Sequence, residues 1–304
     1  MSSTWLLKPA RRAMARCSQR PFAAAPEREV KGQVQPLRQA MLRCHAVRIA
    51  GRLGLRSTLR KAYRFLLAPG GGEHGISLAG QTARFYIYSK SNIDTLDSLG
   101  GERPTLEFLL GKLQRGDSAY DVGAAIGLYT LFLAKAVGQN GQVIAFEPEE
   151  HTYERLCEHL RLNHLSNVRA FRYALGAGEE TRYLRVGSVA GASRIIAPEE
   201  LGQSGPVERI RVSPGDEFMA AANLPVPRVV KIDVEGYEFE VIRGLRRTLL
   251  QPQCEVVCSE VHPQLLPRGT TVDEVLDLLR SLGFVQIEIH PRLNDFHAWA
   301  VKVK

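Results

Sequence analysis

From about residue 104 onward, short apolar runs alternate with stretches whose apolar positions recur every three or four residues. That alternation predicts strands at 118–122, 142–146, 168–174, 228–232 and 254–259. Helices are predicted at 104–113, 127–137, 153–162, from the glycine turn at 236 to about 250, and at 271–282. Thr271 and Glu274 form a capping box for the last helix, and Gly283 closes it. Two final runs, 285–290 and 297–303, are joined by a short connection and so form an antiparallel pair. Residues 76–79 and 82–88 read as a hairpin, and 181–186 as a strand that pairs back as a second one. Residues 187–206 form a long Gly/Ser-bearing loop, a length that suits a substrate lid, before a strand returns at 207–212. The order is that of a doubly wound α/β sheet with a terminal hairpin.

The polar residues that interrupt this pattern fall at the carboxyl ends of the parallel strands. Asp121 ends the first, and the turn Gly123, Ala124, Ala125 leads to Gly127 and a helix. Gly123 allows a sharp turn that brings peptide N–H groups near a ligand, and the helix start suits an anion. Glu147-Pro148 ends the second strand. Glu147 lies 24 residues past Gly123, close to the spacing at which an acid meets ribose hydroxyls. Asp233 and Glu235 follow the fourth strand, and Glu260 and His262 the fifth. In a doubly wound sheet these ends share one edge, which marks a ligand site.

Charge divides the chain in two. Residues 1–64 carry 15 Lys and Arg against Glu27 and Glu29, so this arm is +13 and the remainder, with 25 basic and 30 acidic residues, is −5. An anionic partner such as a membrane surface would meet the arm, which spans residues 1–69, while the body suits a cationic cofactor. Arg48, Arg52, Arg56, Arg60 and Arg64 share one helical face. Nucleic acid is not the expected partner. The arm is Arg-rich and acid-poor like a transit peptide, but a solvated tail on a cytoplasmic protein is the preferred reading. No stretch is long and apolar enough to span a bilayer. Pro69 and Gly70–Gly72 mark the boundary with a second domain, residues 70–304. Five cysteines form no disulfide framework, and Cys254 and Cys258 are read as buried apolar residues.

Taken together, Asp-Val-Gly-Ala-x-Ile-Gly-x-Tyr-Thr at 121–130, Phe-Glu-Pro at 146–148, Lys-Ile-Asp-Val-Glu-Gly-x-Glu at 231–238, Gly244 and Glu-x-His at 260–262 resemble the FkbM family of methyltransferases. The resemblance runs from about Glu102 to the C-terminus. It implies the class I Rossmann-like fold, a seven-stranded sheet with an antiparallel last strand, S-adenosylmethionine as cofactor, and O-methylation. Carried over by position, Gly123, Ala124, Ala125 and Gly127 shape the methionine end of the pocket, with Glu102 on the approach to it. Asp121 sits near the cofactor's amino group, Glu147 and Pro148 at the ribose, Tyr173 and Ala174 near adenine, and Asp233 on the reacting side. The family commonly has Asn where this chain has Ala125.

On this reading the acceptor is a hydroxyl of a small molecule, sugar or lipid. His262 is the first candidate for the base that takes its proton, with Asp233 or Glu235 second. Asp233, Glu260 and His262 could converge on a metal, but the chain has no compact ligand motif and no metal is expected. Two alternatives share part of the pattern. A nicotinamide-dependent oxidoreductase has the glycine turn and the acid, but not the terminal hairpin or the Lys-Ile-Asp-Val-Glu-Gly block. A non-catalytic binder of cofactor or anionic surfaces would rest on Ala125 and the basic arm.

Overall fold

A computed structural model describes residues 72–87, 96, 98–188 and 191–303. The basic arm, its boundary at Pro69, Cys17 and Cys44 lie outside them. Two compact units are distinguished. The described part of the smaller is residues 72–76, 84–87, 96 and 98–101, and the larger takes 77–83 and the chain from Glu102 on. Strands β1 (Glu73–Leu78) and β2 (Gln81–Tyr86) form a two-stranded sheet.

The larger unit alternates strands and helices: α1 (Arg103–Lys112), β3 (Ser118–Val122), α2 (Leu128–Val137), β4 (Gln142–Phe146), α3 (Glu150–Leu162) and β5 (Val168–Phe171). After an insertion come β10 (Val229–Ile232), α5 (Glu238–Gly244), α6 (Arg246–Leu250), β11 (Val256–Val261), α7 (Val272–Ser281), β12 (Gln286–Pro291) and β13 (Phe296–Val301). The insertion holds β6 (Ala174–Gly176), β7 (Glu180–Arg185), β8 (Arg194–Ile196), β9 (Val207–Pro214) and α4 (Gly215–Ala221).

Seven strands make one sheet in the order β12-β13-β11-β10-β3-β4-β5. The five from β11 to β5 run parallel, and β13 is antiparallel to both its neighbours. This is the class I methyltransferase arrangement, with the antiparallel last strand the sequence implied. Central strands are buried along their length, as parallel strands covered on both faces must be. The register sets Lys231 of β10 beside Asp121 of β3, so two charges enter the sheet's interior as neighbours. Thr271 caps α7 by accepting from the Glu274 N–H, while the Glu274 carboxylate accepts from the Thr271 N–H at 2.7 Å. Gly244 is required by close approach: a Cβ there would lie 1.8 Å from the Gly176 carbonyl oxygen. Cys254 and Cys258 are buried free thiols.

Several expectations need correction. The third parallel strand stops at Phe171, and Ala174–Gly176 turns away into a separate four-stranded sheet, β6-β9-β7-β8. There β7 does not pair back on the segment before it, because β9 lies between β6 and β7. The region 187–206 is not a plain loop: β8 pairs with β7, and a 3₁₀ turn follows at Pro198–Glu200. The helix after β10 is two helices, broken at Leu245. Strand β11 runs to Val261, so Glu260 lies within it and His262 just beyond.

Candidate active site

Strands β3, β4 and β10 end side by side, and their turns enclose a cavity. Val122, Gly123, Glu147, Pro148, Tyr173, Ala174, Asp233 and Glu235 line it together with Glu149, Leu184, Ser193, Ile195 and Tyr237. Gly123 has φ of +81°, and a Cβ there would lie 1.7 Å from the Asp233 carbonyl oxygen, so only glycine lets the two turns meet. The N–H groups of Gly123 and Ala124 both donate to the Phe146 carbonyl, at 3.0 and 2.9 Å, and the Ala125 N–H donates to Glu147 Oε2 at 2.9 Å. These three amides brace the pocket wall; they do not face outward to a ligand as the turn alone suggested. Gly127, with φ of +95°, precedes the first turn of α2.

Glu147 also accepts from the Glu149 N–H, at 2.9 Å on Oε1, so each oxygen is pinned by one amide and keeps acceptor capacity. Burial pushes its carboxyl up to about 8, against the two amides that favour the charge. Asp121 is fully buried. Its Oδ2 accepts from Thr130 Oγ1 at 2.5 Å, while Oδ1 has no partner among the described residues. Burial raises its pKa too, and Lys231 opposes the rise.

Lys231 was quoted in a motif but given no role by the sequence. It is buried, donates to Asp233 Oδ2 at 2.7 Å, and sits 4.7 Å above the Tyr129 ring. Burial works against its charge, but Asp233, Asp121 and Glu260 outweigh burial and raise its pKa. For Asp233, burial is likewise outweighed by Lys231, and its pKa falls.

On the cavity wall, Glu235 has φ of +51°, a strained conformation for a non-glycine residue and a common one at functional sites. Burial pushes its carboxyl up to about 7, with His262 opposing. His262 does not line the cavity. Its Nδ1 meets Glu238 Oε1 at 2.8 Å, and Nε2 lies 3.5 Å from Glu235 and 3.8 Å from Glu260. Burial disfavours its charge, but hydrogen bonding to Glu238 and the surrounding carboxylates outweigh burial and push it up to about 9. The imidazole is therefore held protonated at neutral pH in this state, which weakens its case as the base. Glu102 is also set apart: it accepts from the Tyr129 hydroxyl at 2.7 Å and pairs with Arg292. Glu238 and Tyr129 were quoted in motifs but given no role, and Arg292 had no sequence signal beyond its type, since chain-distant contacts bring all three in.

This arrangement fits S-adenosylmethionine. Its sulfonium and ammonium charges suit a pocket lined by Asp233 and Glu235; Asp121, expected near the amino group, does not line the cavity but is buried behind it with Oδ1 unpartnered among the described residues, and Glu147 can take a cis diol. The model of the FkbM methyltransferase domain matches residues 121–285, more than half of the chain. "Hexuronic acid methyltransferase AglP" of Haloferax volcanii is 28% identical over 226 residues, covering 72% of this chain and 88% of its own. "Methyltransferase sdnD" of Sordaria araneosa is 27% identical, covering 54% and 72%. Among solved structures, a SAM-dependent O-methyltransferase of Thermotoga maritima is 17% identical with a TM-score of 0.40, covering 77% of this chain and 79% of that one. The chain belongs to the FkbM methyltransferase family and is an S-adenosylmethionine-dependent methyltransferase.

Proposed function

We propose that the protein methylates a hydroxyl oxygen of a sugar, with uronic acids the first acceptor class to test. The observation that carries this reading is the joining of two sites at one cavity: Glu147, suited to ribose hydroxyls, and Asp233 with Glu235, suited to an acceptor hydroxyl. The relative of Haloferax volcanii, described as a hexuronic acid methyltransferase, supports the acceptor class.

When bound, S-adenosylmethionine supplies an electrophilic methyl group on a positively charged sulfur. Glu147 holds and orients the ribose, its own geometry fixed by the Ala125 and Glu149 amides. Asp121 and Asp233 provide a negative field at the sulfonium end, and Lys231 keeps Asp233 ionised and aimed. Glu235, the carboxylate at the cavity wall, takes the acceptor's proton, and His262, 3.5 Å away, counters the burial that raises its pKa. Glu238 in turn orients His262 through Nδ1. Alignment of the two reactants supplies much of the rate in such displacements.

The test is to incubate the full chain with methyl-labelled S-adenosylmethionine and a panel of hexuronic acids, neutral sugars and their glycosides. A labelled product that resists mild alkali is a methyl ether and supports hydroxyl transfer. Label released by alkali marks a carboxylate ester and contradicts it.

A further inference from the structure

At the edge of the cavity, side-chain donors from two strand ends converge without hydrogen-bonding one another. One carboxylate oxygen each of Asp233 and Glu235 and a ring nitrogen of His262 all lie within 4.8 Å of one another. His262 is about nine-tenths buried, and its Nε2, aimed into this group, has no hydrogen-bond partner among the described residues. Its nearest oxygens, on Glu235 and Glu260, stand at 3.5 and 3.8 Å. Those are long for hydrogen bonds. Two donors sharing an ion at about 2.1 Å stand about 3.0 Å apart at a right angle and about 3.4 Å apart in a tetrahedron. The 3.5 Å between His262 Nε2 and Glu235 is close to that spacing, and Asp233 lies within 4.8 Å of both.

The support behind the ring has the same logic. Nδ1 is held at 2.8 Å by Glu238, a fully buried carboxylate that also accepts from the Gly236 N–H at 2.9 Å. A carboxylate behind an imidazole fixes the tautomer that leaves Nε2 free to ligate, and it is the usual outer partner of a metal-bound histidine. The charge balance is also unequal. Asp233, Glu235, Glu238 and Glu260 surround the His262 ring, and the other basic groups touching them are Lys231 on Asp233 and Arg292 and His297 on Glu260. Among the described residues, Glu235 and Glu238 have only His262 as an ion-pair partner.

We propose that Asp233, Glu235 and His262 Nε2 form a divalent-cation site, of the Mn²⁺ class, that presents the acceptor's oxygens to the cofactor pocket. One imidazole and two carboxylates make a nitrogen–oxygen donor set suited to such an ion, and three protein ligands leave coordination positions for substrate oxygens. Asp233 and Glu235 belong to both the cation site and the cavity wall. A bound cation there would hold two neighbouring oxygens of a sugar and acidify the hydroxyl to be methylated, a role that rests on the hydroxyl-transfer reading. Cation binding itself does not.

The experiment is a titration of the full chain with Mn²⁺ alone, following the free ion by electron paramagnetic resonance, without cofactor or acceptor. Saturable binding of a single ion is expected, weakened about tenfold or more in Glu235→Gln and in His262→Gln and retained in Glu147→Gln. Thermal melting and S-adenosylmethionine binding report whether each variant is folded. If both cluster variants unfold, competition by Mg²⁺ and Zn²⁺ and the pulsed resonance signature of a bound imidazole nitrogen decide on the wild type. No saturable binding at millimolar Mn²⁺, binding unchanged in folded cluster variants, or a bound ion lacking the imidazole signature overturns the proposal. Each of those results leaves the labelled-transfer test untouched.

Discussion

Replacing Lys231 with Met tests the electrostatic frame beneath the pocket. The side chain is nearly isosteric, so the change removes a charge and little volume. Lys231 is 3% exposed and lies 2.7 Å from Asp233, and the sheet register places it beside Asp121, which is fully buried. The gross attraction at that distance is about 6 kcal/mol for an effective dielectric of 20. Removing one partner of a buried pair costs about 3–5 kcal/mol net, because the other charge is left uncompensated. For a domain of this size that lowers Tm by roughly 6–20 °C. The pH dependence gives a sharper signature. Asp233 has a lowered folded pKa, so its contribution is present above its unfolded pKa and lost as pH falls through the folded one. Lys231→Met should therefore be most destabilising at neutral pH and converge on the wild type in acid. S-adenosylmethionine, bringing positive charge to the same carboxylates, should raise the variant's Tm more than the wild type's, provided each is saturated. Calorimetry at neutral and acid pH, with and without cofactor, reads all of this. A variant as stable as the wild type at pH 7, or a loss that is the same at every pH, would refute the reasoning.

Glu147→Gln should weaken S-adenosylmethionine binding by about 1–3 kcal/mol in a folded protein, measured by isothermal titration. The wild-type Glu147 carboxyl is raised to about 8, so its contribution to stability is full below its ordinary value near 4.5 and is lost as pH rises through about 8. Denaturant unfolding of the cofactor-free protein should lose stability across that window, and the Glu147→Gln variant should lose less. Ala125 holds φ of +47°, which costs an alanine about 1–2 kcal/mol relative to the right-handed region. Asn tolerates that conformation better, so Ala125→Asn should raise Tm, and thermal melting showing a drop would count against strain at this position.

The parallel core was legible because its signal is local. The strands at 118–122 and 142–146 match the structure to the residue, since an unbroken apolar run bounded by turn residues has few other solutions. The antiparallel end followed from the short connection between two apolar runs. The insertion was legible only in part: strands expected at 181–186 and 207–212 are present, but their partners were not foreseen. Residues 172–214 carry no helical period, and the strand order β6-β9-β7-β8 depends on pairings between distant segments. Helix α4 was missed because seven residues give too few periods to see. Asp121, Glu147 and Asp233 were expected at neighbouring strand ends, and the structure places Glu147 and Asp233 on the cavity wall with Asp121 buried behind it. Lys231 was not weighed, because a lysine in an apolar strand shows no sign of the Asp121 beside it. His262 was placed correctly along the chain but not chemically: the carboxylate behind it, Glu238, comes from a different strand connection.

The claim on which the proposed chemistry turns is that the Asp233–Glu235 edge activates a hydroxyl beside the cofactor. The direct measurement is single-turnover methyl transfer, with S-adenosylmethionine preloaded and the acceptor identified by the labelled panel, comparing wild type with Glu235→Gln. The account predicts a rate lower by on the order of 10²–10⁴, with cofactor affinity nearly unchanged. A Glu235→Gln enzyme that transfers methyl to the same hydroxyl at the wild-type rate would contradict it.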